Sequence, residues 1–271
     1  MLWLISQEDR QGDVRANYFD QPTRVAAGRY SKSAEWNAIR ALLPAPPGVV
    51  VEIGAGNGIG SFALARDGWQ VIAVEPDSSD IVGRGAIGSL AVDTGLDIDV
   101  REGVGEDLPV QDAVCDLVFG REVLHHARDL GRLCREACRV LKPGGWFFAA
   151  REHVLSSSQD LDRFLEAHPL HRLYGGENAF TLRTYQSALR AAGFRIERKI
   201  RPLSSVINFA PHDVSTLKQE FHRRLRLVPG GGMAARLLLS RPLYPTFLKL
   251  ASLVDRRPGR LYSFVCRKPR G

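Results

Sequence analysis

The run Val49-Val50-Val51-Glu52-Ile53 passes directly into Gly54-Ala55-Gly56-Asn57-Gly58, and a helical pattern follows from Ile59 to Arg66. A short β-branched run reads as a buried strand. The glycines let the chain turn sharply and let backbone approach a ligand with no side chain between. A strand that hands over to a helix through such a turn belongs to an α/β architecture. The same rhythm recurs. Gln70–Glu75, closed by Pro76, reads as a second strand, residues 98–102 as a third, Ala113–Phe119 as a fourth and Trp146–Ala150 as a fifth. Helices are predicted over Ser33–Leu43 and Asp129–Leu141, the latter followed by the turn Lys142-Pro143-Gly144-Gly145. Continuously apolar strands between helices imply a doubly wound, mostly parallel sheet with its ligand crevice at the carboxyl ends of the strands.

Beyond residue 150 the rhythm loosens. Helices are predicted over 160–167 and 184–192, and strands over 194–198 and 261–267. Three regions are expected: an N-terminal helical lid segment (1–48), a cofactor-binding core (49–150), and a C-terminal part of the sheet (151–271). The last would carry a substrate lid (151–192) and a basic helical insertion (211–258).

The chain has 271 residues, 44% hydrophobic and 25% charged, as ordinary globular proteins do. Leu2–Ile5 is too short for a signal-peptide core, and 233–254 is interrupted by Arg236, Arg241, Pro242, Pro245 and Lys249. A cytoplasmic location is therefore expected, with Cys115, Cys134, Cys138 and Cys266 reduced. The net charge of +7 is uneven: residues 211–271 hold 13 Lys/Arg against 3 Asp/Glu. Such a segment is either a solvated face or a surface that meets anions.

Two acids frame the glycine turn. The third glycine of a dinucleotide fingerprint would stand at position 59, which is Ile59. Glu52, beside the turn, would repel a pyrophosphate and suits a cationic ligand such as the sulfonium and ammonium of S-adenosylmethionine. Glu75 closes the second strand and is placed to accept both hydroxyls of an adenosyl ribose.

The turn VVVEIGAGNG, the strand end VIAVEP, the loop GEDLPV, the strand and loop CDLVFGREVLHH and the turn and strand RVLKPGGWFF occur in that order. As a set they resemble the class I S-adenosylmethionine-dependent methyltransferases, closely over 49–150 and more loosely over the last two strands. The resemblance implies an α/β fold with a doubly wound, mostly parallel seven-stranded sheet, the Rossmann-like methyltransferase fold, here with helical cap insertions. It also implies S-adenosyl-L-methionine as cofactor. On this basis Gly54, Gly56 and Gly58 would shape the loop under the methionine part, Glu52 would orient that loop, and Glu75 would hold the ribose. Asp107 would accept from the adenine amino group, and Leu108 would add a backbone contact to adenine. Gly120 or Arg121 would lie near the methionine and sulfonium. Arg121 departs from the small or amide residue common there and could instead face an acidic substrate. Tyr30 is expected as a lid residue on the cofactor side.

Methyl transfer to a hydroxyl needs a base, for which histidine is suited. The candidates are His126, His125 and His153, with His126 preferred; packing roles for these rings stay open. No metal ligand set is assigned. Cys134 and Cys138 lack a second pair, and His168-x-x-His171 lacks a third ligand. The segment 168–178 is expected to form part of a lid over the acceptor.

The function expected is methylation of a small molecule, such as a hydroxylated metabolite or sugar, at oxygen rather than nitrogen. The basic segment 211–258 is expected to wall the substrate site, with peripheral contact to an anionic membrane and a lipid-linked acceptor as the alternative; RNA binding is a third reading, for which the segment lacks a recognisable signature. A cofactor-binding module without turnover also stays open. Ile59 and Glu52 argue against a nicotinamide-dependent oxidoreductase, and the chain lacks the Asn/Asp-Pro-Pro-Tyr/Phe motif of amino-methylating nucleic-acid enzymes.

Overall fold

A computed structural model describes residues 2–227, 230–240 and 242–270. Its sheet comprises β1 (Val49–Ile53), β2 (Gln70–Val74), β3 (Ile98–Arg101), β4 (Cys115–Arg121), β5 (Leu141–Leu155), β6 (Phe180–Thr181), β7 (Arg195–Ile200) and β8 (Arg260–Arg267). The order is β3-β2-β1-β4-β5-β8-β7, with β6 paired to the far end of β5. Only β8 runs antiparallel to its neighbours. The expected count of seven strands thus becomes eight through the two-residue β6. Strand order reverses between β1 and β4, which opens the crevice at their carboxyl ends.

Side-chain alternation splits the core into two layers. Val51, Ile53, Ile72 and Val74 face a cluster with Leu130, Leu133, Ala137, Tyr185 and Leu189, from the helices Leu130–Val140 and Leu182–Ala191. Val50, Val71 and Ala73 face the other cluster, with Tyr30, Trp36, Ile39, Leu64 and Ile87. Those residues come from the helices Thr23–Tyr30, Ala34–Arg40, Ile59–Arg66 and Arg84–Thr94. The ends are capped from the sequence: Ser33 accepts from the Trp36 amide and Asp129 from the Arg132 amide.

Three departures from the sequence reading matter. The helix Arg84–Thr94 was not expected; it buries Ala86, Ile87 and Leu90 and ends at Gly95 in the left-handed region. β5 runs through residue 150 to Leu155, so the boundary expected there falls inside a strand. It continues by a register shift between Ala149 and Glu152, with Arg151 at φ 62°. The expected lid segment 168–178 contains a helix not expected from sequence, Pro169–Tyr174.

The basic segment holds the helices Val214–Leu225, Gly231–Leu238 and Tyr244–Val254. They form small clusters of their own, around Leu217 with Leu203 and Phe209, and around Leu239 with Ala235 and Tyr244. A fully buried large apolar side chain contributes about 1.5–3 kcal/mol. The sheet layers hold dozens of buried side chains and the cap only a few, so stability resides in the sheet. No helix among the described residues is long and apolar enough to cross a membrane.

Candidate active site

A cavity of about 570 Å³ lies at the strand-order switch. It is lined by Glu75, Pro76 and Val82, by the turn from Gly54 to Asn57 with Ile59, and by Arg121, His125, His153, His168 and Glu177. Its size is that of a small-molecule site.

The glycine turn is built for close approach. Gly54, Gly56 and Gly58 have φ of 63°, 56° and 83°, where a Cβ is strained. A Cβ on Gly54 would stand 2.1 Å from Val123 Cγ2. Gly56 has open space there, so backbone faces the cavity directly.

Glu75 is buried at the end of β2. Its Oε2 accepts from the Gly56 amide at 2.8 Å and its Oε1 from the Asp77 amide at 3.0 Å. Each oxygen keeps a second lone pair for a ribose hydroxyl. Burial raises its pKa against those two amides. Asp107 lines an adjoining pocket of about 370 Å³, with Pro76 on the wall of both. Leu108 cannot play the part expected of it. Its amide donates to Glu136 Oε2 at 2.9 Å, and its carbonyl accepts from Val110 and Arg139. Glu52 lines the cavity and accepts from the Ser61 hydroxyl, which anchors the start of the helix after the turn; burial pushes it up to about 8 despite that bond.

Tyr30 is not a lid residue. It is fully buried against Tyr18 and Trp36, and the N-terminal segment reaches the cavity through Asn17 and Phe19 instead. Gly120 lies on β4 opposite Ile53, where a Cβ would meet Val123 at 3.1 Å. Arg121 is not free to face an acidic substrate. Its Nε donates to Glu35 at 2.7 Å and its Nη1 to Glu122 at 3.0 Å.

Glu122 in turn accepts from Arg151 Nε at 2.6 Å, and Arg151 Nη1 donates to the carbonyls of Ile207 and Ala210. The chain Glu35–Arg121–Glu122–Arg151 thus ties the N-terminal segment to β4, β5 and the segment before the cap. Burial works to raise Glu122, but Arg121 and Arg151 hold it well below the usual carboxylate range. Glu122 and Arg151 both have positive φ, 58° and 62°, a conformation that non-glycine residues keep only when their surroundings enforce it. Glu35 and Glu122 escaped the sequence reading. The available signal was an Arg-Glu pair directly after the apolar run of each of two consecutive strands, Arg121-Glu122 and Arg151-Glu152.

The structure brings all three candidate histidines to the wall of the cavity, in different states. His125 is 1% exposed; its Nδ1 lies 2.8 Å from Glu152 Oε2, and its Nε2 3.7 Å from Glu177 Oε2. Burial depresses His125 and pushes Glu152 up to about 7. His153 turns Nδ1 to the Gly259 carbonyl at 2.9 Å and is lowered by burial to about 4. His126, preferred from sequence, is 42% exposed at the mouth, its Nδ1 on the Gly176 carbonyl. The oriented ring is His125: a carboxylate fixes its tautomer and leaves a lone pair on Nε2, the arrangement of an oriented general base.

Residues 51–149 match the family model for a methyltransferase domain. That stretch is a methyltransferase domain, and the fold built around it is the class I S-adenosylmethionine-dependent methyltransferase fold. Its cofactor is S-adenosylmethionine, and the paired carboxylate oxygens of Glu75 beside bare backbone at Gly56 fit that molecule. The ubiquinone biosynthesis O-methyltransferase of Methylobacterium sp. (strain 4-46) is 31% identical over 144 residues, which are 52% of this chain and 56% of that protein. The dimethylglycine N-methyltransferase of Parasynechococcus marenigrum (strain WH8102) is 37% identical over 142 residues, 50% of this chain and 48% of that one. The chain thus spans about half the length of the curated relatives it matches. In fold it is similar to a geranyl diphosphate methyltransferase solved with its cofactor (TM-score 0.59, 14% identity, covering 92% and 91%). It is also similar to an S-adenosylmethionine-dependent methyltransferase of Mesorhizobium loti (TM-score 0.54, 20% identity, covering 89% and 100%).

Proposed function

We propose that this methyltransferase transfers the methyl group of S-adenosylmethionine to a hydroxyl of a small molecule. The observation that carries the reading is that one cavity is lined by Glu75, the glycine turn and His125, whose ring is held from behind by Glu152. The cofactor supplies an activated methyl carbon. The protein's part is to align donor and acceptor, which alone supplies several kcal/mol. Glu75 and the backbone at Gly56 hold the adenosyl end. At the acceptor end, His125 Nε2 takes the hydroxyl proton while Glu152 holds the ring through Nδ1. An amine acceptor has less need of such a pair, which favours oxygen over nitrogen although the relatives include both kinds. Titration calorimetry with S-adenosylmethionine, followed by transfer of labelled methyl to a panel of hydroxylated and amino metabolites, tests this. Failure to bind the cofactor, or labelling of amines alone, overturns it.

A lipid-linked acceptor is a second reading, favoured by the cap surface. Leu227, Met233, Leu237 and Leu253 are exposed there, near Arg226, Arg236 and Lys249 in sequence. Apolar side chains among basic ones suit an anionic interface. Co-sedimentation with vesicles containing phosphatidylserine, absent with phosphatidylcholine alone, would support it; equal failure with both would remove it.

A further inference from the structure

The geometry points to a divalent-metal site made by His125, His153 and Glu177 at the acceptor end of the cavity. One ligand atom from each lies within 4.8 Å of the others. The three residues come from the loop after β4, from β5 and from the segment before β6, so the fold converges them from well separated parts of the chain.

The hydrogen bonds fix the rings in ligating tautomers. The Gly259 carbonyl cannot donate, so the hydrogen at His153 Nδ1 points to it and Nε2 keeps the lone pair. Glu152 plays the same part for His125, whose Nε2 faces Glu177. A metal-binding histidine characteristically gives its other N–H to a carboxylate or a backbone carbonyl, and here one ring has each kind of partner. Glu177 supplies an independent sign. Its Oε2 is buried without a hydrogen-bond partner, although burying an anionic oxygen unpaired is costly. That oxygen lies 3.7 Å from His125 Nε2. His168 is excluded as a ligand, because its Nδ1 accepts from the His171 amide.

Two imidazoles and one carboxylate suit Zn²⁺ and its first-row neighbours rather than Mg²⁺ or Ca²⁺, which prefer all-oxygen sets. Three protein ligands leave a position open, as in reactive rather than structural zinc sites. An ion there would bind the acceptor hydroxyl and lower its pKa, work otherwise left to the His125–Glu152 pair. That role rests on the proposed function; the existence of the site does not.

The test uses the full chain, stripped with a chelator and titrated with Co²⁺ and Zn²⁺. We expect one equivalent of Co²⁺ with visible d–d absorption, displaced by Zn²⁺. H125A, H153A and the milder E177Q should each weaken binding on the order of 100-fold or more, beyond the 10–100-fold typical of outer-shell changes. H222A, at an exposed histidine of the cap, should change nothing. Circular dichroism confirms that each variant is folded. Absence of a one-to-one spectrum, or equal affinity in folded E177Q, overturns the site. Calorimetry with S-adenosylmethionine in the presence of chelator reads the cofactor separately. Cofactor binding without metal binding sinks the metal site alone, and metal binding without cofactor binding sinks the proposed function alone.

Discussion

Glu152 Oε2 accepts from His125 twice, from its backbone amide at 3.1 Å and from its ring Nδ1 at 2.8 Å. The same carboxylate accepts from the Val123 amide at 3.3 Å, so one buried side chain holds both the loop after β4 and the ring it carries. Substituting Glu152→Gln leaves the volume unchanged but replaces an obligate acceptor with a group that can donate. The ring then loses its fixed tautomer. If His125 is the base, kcat for a hydroxyl acceptor should fall by about 10²-fold or more while the affinity for S-adenosylmethionine stays constant. With Glu152 pushed up to about 7, the wild-type rate should rise with pH through about 7 as Glu152 ionises and can hold the ring, and that limb should vanish in the variant. Steady-state kinetics across pH 5.5–9 (roughly the range around a neutral pKa) would check both; an unchanged kcat removes the pair from catalysis.

Glu75 holds the turn and, in our reading, the ribose. Glu75→Ala should weaken S-adenosylmethionine by roughly 1–3 kcal/mol, the cost of leaving polar groups without their charged partner. The Gly56 amide also loses its acceptor, so Glu75→Gln should recover part of the loss. Calorimetry on both variants checks this, and an affinity equal to wild type in Glu75→Ala contradicts the ribose assignment.

Gly54 meets two separate obstacles to a side chain: a φ of 63°, and Val123 Cγ2 at 2.1 Å from the Cβ position. Gly54→Ala should therefore lower Tm and abolish cofactor binding. Adding Val123→Ala removes the clash but not the backbone strain, which costs about 1–2 kcal/mol. The double variant should regain only part of the lost Tm. Complete recovery would mean that the left-handed conformation costs nothing here.

These residues show what could be read without coordinates. β1 and the helix Ile59–Arg66 were legible to the residue, because a β-branched run, three glycines and an apolar face all agree. The helix Arg84–Thr94 was not legible. It is flanked and interrupted by Gly83, Gly85, Gly88 and Gly95, and its apolar face is narrow. The end of β5 was hidden because Arg151, Glu152 and His153 look like loop residues, yet each is paired inside the crevice. The partners of Tyr30 and Arg121 could not be read, because Trp36 and Glu35 meet them through the packing of separate elements, the Glu35–Arg121 pair across 86 positions. The choice of His125 over His126 likewise depended on Glu152, 27 positions away.

Glu122 bridges two arginines in a conformation that non-glycine residues avoid. Glu122→Gln would leave Arg121 and Arg151 short of countercharge in the interior. Breaking a fully buried pair costs about 3–5 kcal/mol, and the 28% exposure of the Glu122 side chain makes that an upper bound. At about 2–4 °C per kcal/mol for a chain of this size, Tm should drop by several degrees and by no more than roughly 20 °C. The carboxyl is held below its unfolded value, so its contribution is present above about pH 4.5 and is lost as pH falls. The difference in Tm between wild type and variant should therefore shrink in acid. A constant difference from pH 7 down to about 3 would show that the ion pairs are not its source.

Glu52 predicts the opposite slope. Its folded pKa is raised, from 4.5 to about 8, because burial disfavours the anion more than Ser61 stabilises it. Between those values the native state binds more protons than the unfolded chain, so stability must fall as pH rises from about 4.5 to about 8. Glu52→Gln keeps the acceptor for Ser61 and removes the titration. The variant without cofactor should gain about 1 kcal/mol or more at pH 8, which is about 2–4 °C in Tm, and little or nothing at pH 5. Differential scanning calorimetry at the two pH values decides. A gain of equal size at both would mean that packing, and not the buried ionisation of Glu52, accounts for the change.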